Sequence, residues 1–384
     1  MKGIFFCSKN HYAYFCVINV RKMKTIIFIF GILMLANSCR KDPNLDAADT
    51  TPYVVEYPER ISKYIPPMSI PADNPMTVEG VELGRMLFYE ELLSGDNTIS
   101  CASCHDPSLS FSDAGAFSIG IDGLQGERNS MPLINLGWMD HLFWDGRKPS
   151  MEAQAYTPVT DVVEMHEEWA NAVSELQADS QYPFLFERAF GSKTIDSVVV
   201  AKALAQFERT LISGNSPMDK FMNTSFTFGS SGWSMDDELA AYQGFIIFRE
   251  EEKGDCIHCH GDSFNPLWTD NLFHNNGLDA VITDKGLGKF TGNPSDDGKF
   301  KTPTLRNLAF TGPYMHDGRF ETLDEVIDHY SEGLHYSPTI DPLMKKVDGG
   351  GVQLTPDEKY YLKMFLISLS DSTFITDERF TDPG

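Results

Sequence analysis

SCASCHDP (residues 100–107) and GDCIHCHG (residues 254–261) each contain Cys-x-x-Cys-His: Cys101, Cys104 and His105, then Cys256, Cys259 and His260. Each motif sets two thiols one helical turn apart, with an imidazole after the second. Such a triplet fastens haem c: the thiols add to the vinyl groups and the His binds the iron from one face. The motifs lie 155 residues apart (256 − 101 = 155). The paired C-x-x-C units of a zinc ribbon sit only about 15–20 residues apart. A thioredoxin-like redox pair would leave a His after both pairs unexplained. The chain therefore reads as carrying two covalent haem c groups, with His258 a spacer inside the second motif.

The rest of the composition fits an exported globular protein. The 384 residues, 42% of them apolar, suffice for two ordinary domains, each with its own core. Net charge is −24, from 31 basic and 55 acidic residues. The first 38 residues hold five of the basic ones (Lys2, Lys9, Arg21, Lys22, Lys24), so the remainder stands at 26 − 55 = −29. This excess argues against nucleic acid and fits a basic protein partner or simple solubility. Of seven cysteines, four are in the two motifs, Cys7 and Cys16 lie in the leader and Cys39 stands alone. No disulfide framework follows.

MKTIIFIFGILMLANSC begins at Met23, runs apolar from Ile26 to Ala36 and ends in small residues before Cys39. The apolar run is too short to span a bilayer and reads as an export signal. The ending resembles a lipoprotein cleavage site, although Ala36 occupies a place where Leu is more usual. Residues 1–39 are thus an export leader with its start at Met23. They are followed by either lipidation at Cys39 or simple cleavage nearby. Both place the protein in the bacterial periplasm or cell envelope.

Beyond a polar linker at 40–58, helical signals dominate. Thr77 caps an apolar stripe through Val81, Leu87 and Phe88. Val198 to Ile212 is amphipathic. Ser234 with a carboxylate three residues on, and Thr355-Pro356-x-Glu358, are capping boxes. Long Gly/Pro/Asp loops such as 261–303 intervene. The fold class is all-α: two tandem cytochrome c-type haem domains with long irregular loops. They span 59–229 and 230–384, with the boundary in FTFGSSGWS. The halves repeat each other. LGRMLF (83–88) matches QGFIIF (243–248), and LINL (133–136) matches LRNL (305–308). WDGRKPSMEA (144–153) matches HDGRFETLDE (316–325), and the last two pairs share one offset of 172 (305 − 133 = 316 − 144 = 172).

Function turns on the far face of each iron. Two strong protein ligands make an electron carrier, whereas an empty sixth position binds small oxidants. Over residues 60–370 the chain resembles the bacterial di-haem cytochrome c peroxidases, a family that includes the MauG-type enzymes, which mature a tryptophan-derived quinone. The resemblance rests on both haem motifs and on FWDGR with the Gln, Pro and Glu-Met that follow it (143–165). It rests also on PTLRNLAFTGPYMHDG (303–318) and LDEVIDHY (323–330). It implies that the C-terminal haem receives electrons and the N-terminal haem meets peroxide. It also implies Tyr330 as axial ligand opposite His260, where the peroxidase branch has Met and the MauG branch Tyr. A packing role for Tyr330, with His329 or Met315 on the iron, is the alternative.

Shifting Tyr330 back by the repeat offset lands on Pro158 (330 − 172 = 158), which offers no side-chain donor. The haem on His105 is therefore expected to have an open face. The resemblance makes Glu164 the acid/base carboxylate over that face, with Gln154 beside it, against the alternative of a surface carboxylate. Cleaving peroxide needs a group that takes a proton from one oxygen and returns it to the other. Many peroxidases of the family close this haem with a loop His, but Ile121 stands in that place here. No His lies between His105 and His141, so an open high-spin haem without a reductive switch is expected, unless Met131 or His141 swings in. Trp144 matches the family's tryptophan between the haems, and Asp145 and Arg147 would fix the turn and a haem propionate. His316 would sit beside the second haem without binding its iron. The family's calcium ion would take the Asn129 side chain and the carbonyls of Thr311 and Pro313, hard oxygen ligands drawn from both halves.

The function so implied is reduction of hydrogen peroxide to water at the first haem, with electrons arriving from a small cytochrome or quinol donor through the second. A MauG-like oxidase acting on a partner protein, and a di-haem electron carrier without catalysis, are the alternatives. Family members often form homodimers.

Overall fold

The computed structural model describes residues 51–384 except Lys345, together with two antiparallel strands, β1 (Cys7–Lys9) and β2 (Tyr12–Tyr14). The leader readings at Met23 and Cys39, and residues 40–50 of the linker, lie outside the described residues. Everything below concerns the unit formed by residues 48–384.

That unit is mostly helical with little sheet. Its helices are α1 (Glu59–Tyr64), α2 (Val78–Phe88), α3 (Met151–Thr160), α4 (Trp169–Ala178), α5 (Tyr182–Phe190), α6 (Ser197–Glu208) and α7 (Pro217–Asn223). Then follow α8 (Met235–Arg249), α9 (Ile257–His260), α10 (Leu287–Thr291), α11 (Leu323–Glu332), α12 (Pro356–Ser368) and α13 (Ser372–Ile375). Between α9 and α11, β3 (Phe273–His274) pairs antiparallel with β4 (Phe300–Lys301), setting Phe273 opposite Lys301. No described helix is long and apolar enough to cross a membrane.

The start signals act as their chemistry requires. Thr77 accepts from Gly80 N at the head of α2, and Ser234 accepts from Asp237 N at the head of α8. Thr355 and Glu358 form the reciprocal box of α12, with Pro356 in its first turn. The helix expected to reach Ile212 stops at Glu208. Beyond it, Asn135 takes over: Asn135 N donates to Leu211 O (2.9 Å), and its side chain bonds both the N–H and the C=O of Ser213 (3.0 and 3.1 Å). These bonds compete with continued helix for the same backbone groups.

The repeat is written into the backbone. α3 and α11 start and end at the same offset (323 − 151 = 332 − 160 = 172), each capped by a hydroxyl, Ser150 or Thr322. Left-handed residues recur in pairs at that offset: Asn135 with Asn307, Phe143 with Met315, and Gly146 with Gly318. So do the bridges Leu142–Lys148 and Tyr314–Phe320. Helix packing repeats too. α2 crosses α6, and α8 crosses α12. A Cβ at Gly84 would collide with the Ala203 carbonyl and Phe207 Cβ, and one at Gly244 with the Tyr361 carbonyl and Phe365 Cβ. Each crossing is close because a glycine stands at the contact.

Buried apolar side chains gather in two clusters. The first holds Leu83, Leu87, Phe88, Phe111, Leu204 and Phe207, and also Phe374 and Phe380 from the C-terminal end. The second holds Phe245, Phe248, Trp268, Leu305, Leu362 and Phe365, with Met218 and Phe221 of α7. The clusters thus exchange terminal segments. We predict that Gly84→Val and Gly244→Val each lower stability by at least about 1–3 kcal/mol, measured by urea unfolding. An unchanged midpoint would show that these backbones are not in contact.

Candidate haem sites

Both Cys-x-x-Cys-His motifs fold as one tight turn. His105 N donates to Cys101 O, and His260 N to Cys256 O, each at 3.0 Å. All four cysteines are unpaired, and burial pushes the Cys101, Cys256 and Cys259 thiols up to about 12. His105 Nδ1 lies 2.8 Å from Phe111 O. As Nδ1–H it donates to that carbonyl, which leaves Nε2 for a metal. Ser130 Oγ donates to Cys104 O (3.0 Å) and lies 3.4 Å from His105 Nδ1. Burial lowers the proton affinity of His105, keeping it in the neutral form a metal needs.

Glu164 comes to the first motif through the turn after α3. Met165 N donates to Pro158 O (3.1 Å) and Glu167 N to Val159 O (2.7 Å), folding the chain back on the helix end. Pro158 and Gln154 are one turn apart on α3 and share a face. The negative charge of Glu164 is among the smaller causes that raise the Cys101 and Cys104 thiols. Burial pushes its carboxyl up to about 7; Asp161 adds to the rise and Arg147 opposes it. The loop with Ile121 is pinned to this turn. Ile121 N donates to Glu164 O (3.0 Å), and Asp122 pairs with His166 at 2.5 Å. Gly120 has no room for a Cβ against the carbonyls of Val163 and Glu164. His141 is engaged with Gly146 O at 3.2 Å, and the Met131 backbone lies beside His105.

The second motif opens on an apolar cavity walled by Phe248, Leu305, Ile327 and Leu362, with Cys256, Cys259, His260 and Tyr330 on it. Among the described residues His260 Nδ1 is buried with no hydrogen-bond partner, and burial holds the ring down to about 4. Tyr330 Oη accepts from Asn276 Nδ2 at 3.1 Å. Burial pushes the phenol up to about 12, and the Asn276 bond opposes this. Met315 also lines the cavity, its Sδ 3.6 Å from the same amide. His329 turns toward the Asn276 carbonyl (3.3 Å) and the Phe320 ring. A large apolar cavity, unpaired thiols and an unpartnered buried imidazole nitrogen fit a covalent haem.

The two halves meet beside this cavity. Trp144 is buried on its wall, and Trp144 Nε1 donates to Asn129 O at 2.8 Å. Asn129 N donates to His316 O (2.7 Å), and Lys301 N donates to Trp144 O (2.9 Å). These two bonds are repeat equivalents (301 − 129 = 316 − 144 = 172), exchanged between the halves. Asn129, Thr311 and Pro313 line the same cavity, and the Asn129 amide donates to Gly115 O (3.1 Å) and Ala116 O (3.3 Å). Asp145 accepts from Arg128 (2.7 Å) and from Arg147 N (3.2 Å), fixing the turn, while the Arg147 guanidinium lies 3.5 Å over the Phe143 ring. His316 is buried and stacks on Phe300 at 3.8 Å. Cys259, Asp270 and His274 are near enough to hold a metal ion. Both His274 nitrogens are already taken by carboxylates, Asp341 at 2.6 Å and Asp270 at 2.9 Å.

Comparison with known proteins agrees with this construction. The family described as "Di-haem cytochrome c peroxidase" matches residues 78–226. The chain is 35% identical over 315 residues to the methylamine utilization protein MauG of Methylophilus methylotrophus, covering 79% of this chain and 84% of that one. It is 33% identical over 269 residues to the cytochrome c551 peroxidase of Nitrosomonas europaea, covering 68% and 76%. A solved MauG-like protein associated with microbial copper homeostasis superposes with a TM-score of 0.76 at 33% identity, over 86% of this chain and 99% of that one. The chain belongs to the di-haem cytochrome c peroxidase family. It is an oxidoreductase of haem-peroxidase type whose family carries two haem c groups.

Three residues escaped the sequence. Asn276 and Lys301 lie in loop-like stretches that give no sign of facing a cavity. Glu208 ends an amphipathic helix, where a carboxylate usually meets water. It is instead buried, its Oε2 has no partner, and burial pushes its carboxyl up to about 8 from an ordinary 4.5. Arg209 opposes this rise and Glu152 adds to it. A raised carboxyl affinity means the folded chain holds a proton that the unfolded chain releases. The resulting cost is absent below pH 4.5 and grows to its full size near pH 8. Each tenfold separation of affinities is worth about 1.4 kcal/mol. Glu208→Gln should therefore raise the melting temperature more at pH 8 than at pH 5. An equal change at both would remove the assignment of a buried, protonated Glu208.

Proposed function

We propose that this protein is a di-haem peroxidase of the bacterial periplasm or cell envelope, reducing hydrogen peroxide to water at the haem held by Cys101, Cys104 and His105. The observation that carries the reading is the pairing of Pro158 with Glu164. A residue unable to bind iron stands where the second half has Tyr330, and a carboxyl tuned near neutrality lies beside it. When bound, the haem supplies the peroxide-binding and electron-storing chemistry. Glu164 takes the proton from one peroxide oxygen and returns it to the other, so that two electrons and two further protons give two waters. Gln154 orients the peroxide on the same helix face. The pinned Ile121 loop keeps the site free of a closing ligand, burial keeps His105 neutral, and its bond to Phe111 O fixes the ring.

Cys256, Cys259 and His260 would hold the haem that takes electrons from a small cytochrome or a quinol. Tyr330, which accepts from Asn276, would help hold that haem, and Trp144 would relay charge. Asn129, Thr311 and Pro313 would hold a calcium ion between the domains 59–229 and 230–384, and a lipidated Cys39 would tether the chain. A second reading, oxidation of residues in a partner protein, is favoured by one observation: the phenol of Tyr330 lines the second cavity.

Glu164→Gln should lower peroxide turnover by about 10²–10⁴-fold with haem content unchanged. In the parent protein the rate should fall as pH drops below about 7, because the protonated carboxyl cannot accept a proton. A variant with unimpaired turnover would sink the role of Glu164. Steady turnover with a reduced cytochrome supports the peroxidase. A few peroxide equivalents consumed only alongside oxidised partner side chains supports the second reading. The ferric EPR spectrum should contain a high-spin signal from the first haem, and a wholly low-spin spectrum would exclude an open iron.

A further inference from the structure

Lys301 has a 2% exposed side chain and lines the cavity that holds Cys256, Cys259 and His260. Lysine at a protein surface extends its ammonium to water, but this one cannot. Its main chain is fixed by Lys301 N on Trp144 O (2.9 Å) and by the β4 pairing with Phe273. Its Nζ donates to His141 O at 3.0 Å and lies 3.3 Å from Met139 Sδ. Among the described residues no charged group offsets its burial, which alone lowers its proton affinity, to about 8. An ammonium carries three donors, and here one meets a carbonyl and one a weak sulfur acceptor. A buried cation without an anion is strongly disfavoured. The repeat equivalent, Asn129, is neutral, so the fold does not itself require a charge at this place.

We propose that Lys301 binds a carboxylate of the haem lodged in the second cavity, one of the two propionates on the ring edge away from the thioether bonds. The lysine then serves two ends. It compensates the propionate charge in an apolar wall, and through Trp144 O it fixes the cofactor edge against the tryptophan where the halves meet. Lys301 is a positioning residue: it holds the cofactor and touches no reacting atom. The proposal rests on a haem in the second cavity and not on peroxide chemistry, so the test uses no peroxide.

The test is a spectroelectrochemical titration of the haem-loaded protein against Lys301→Met and Lys301→Arg. Loss of the positive charge should favour the ferric state of the second haem. In Lys301→Met its reduction equilibrium constant should fall about tenfold, or about 59 mV for one electron, and its potential should become more dependent on pH as the propionate gains a proton. Lys301→Arg, which keeps the charge, should stay within about threefold of the parent. A potential unchanged in Lys301→Met, or lowered equally in Lys301→Arg, overturns the proposal. Should Lys301→Met fail to take up haem, Lys301→Gln, which keeps a neutral donor toward His141 O, is read by the same criteria.

Discussion

Two exchanged backbone bonds, Asn129 N to His316 O and Lys301 N to Trp144 O, hold the haem sites in one geometry. Each half lends an N–H to the other at the same point of the repeat, so neither site can shift without its partner. A buried polar knot reinforces them. Asp371 accepts from Gly214 N (3.0 Å) and Asn215 N (2.8 Å), while Asn307 donates to Ser110 Oγ (2.6 Å) and accepts from Asp371 N (2.8 Å). Arg306, fully buried, forks onto both oxygens of Asp219 at 2.8 Å. Buried polar groups demand such complete pairing, and breaking one partner of a buried pair is strongly destabilising.

On this shared backbone the side chains diverge where chemistry requires it. Tyr330 faces the second cavity, and its equivalent is Pro158. Leu366 lines the second cavity, and the corresponding position after Phe207 in α6 is Glu208 (366 − 208 = 365 − 207 = 158). Lys301 corresponds to Asn129. The first half thus gains acidic groups near its cysteines, and the second gains a phenol and an ammonium. A duplicated scaffold has become two electrostatic environments. One raises carboxyl affinities toward neutrality, and the other places a buried cation in an apolar wall.

The loop carrying Ile121 shows how a backbone can replace a missing side chain. Ile121 N, the bare Gly120 and the Asp122–His166 pair all press this loop on the Glu164 turn. Its place in the fold is therefore set by main-chain contacts that do not depend on a metal ligand. The same contacts fix the turn that carries half-buried Glu164.

By itself the sequence determined the two haem attachment motifs, the helical class, most helix starts and the internal repeat. All of these are local or periodic signals: thiol spacing, hydroxyl caps followed by carboxylates, and matching segments at one offset. It also pointed to Pro158 against Tyr330, because the repeat converts position into geometry. It misjudged the end of α6, where the side chain of Asn135, 78 residues away from Ser213, takes the backbone groups. Only the tertiary structure decided that Glu208 and Lys301 are buried, that Asn276 meets Tyr330, and that the halves exchange hydrogen bonds at Trp144 and His316. Burial and partnership depend on which distant segments close over a residue, and neither its type nor its neighbours in the chain carry that information.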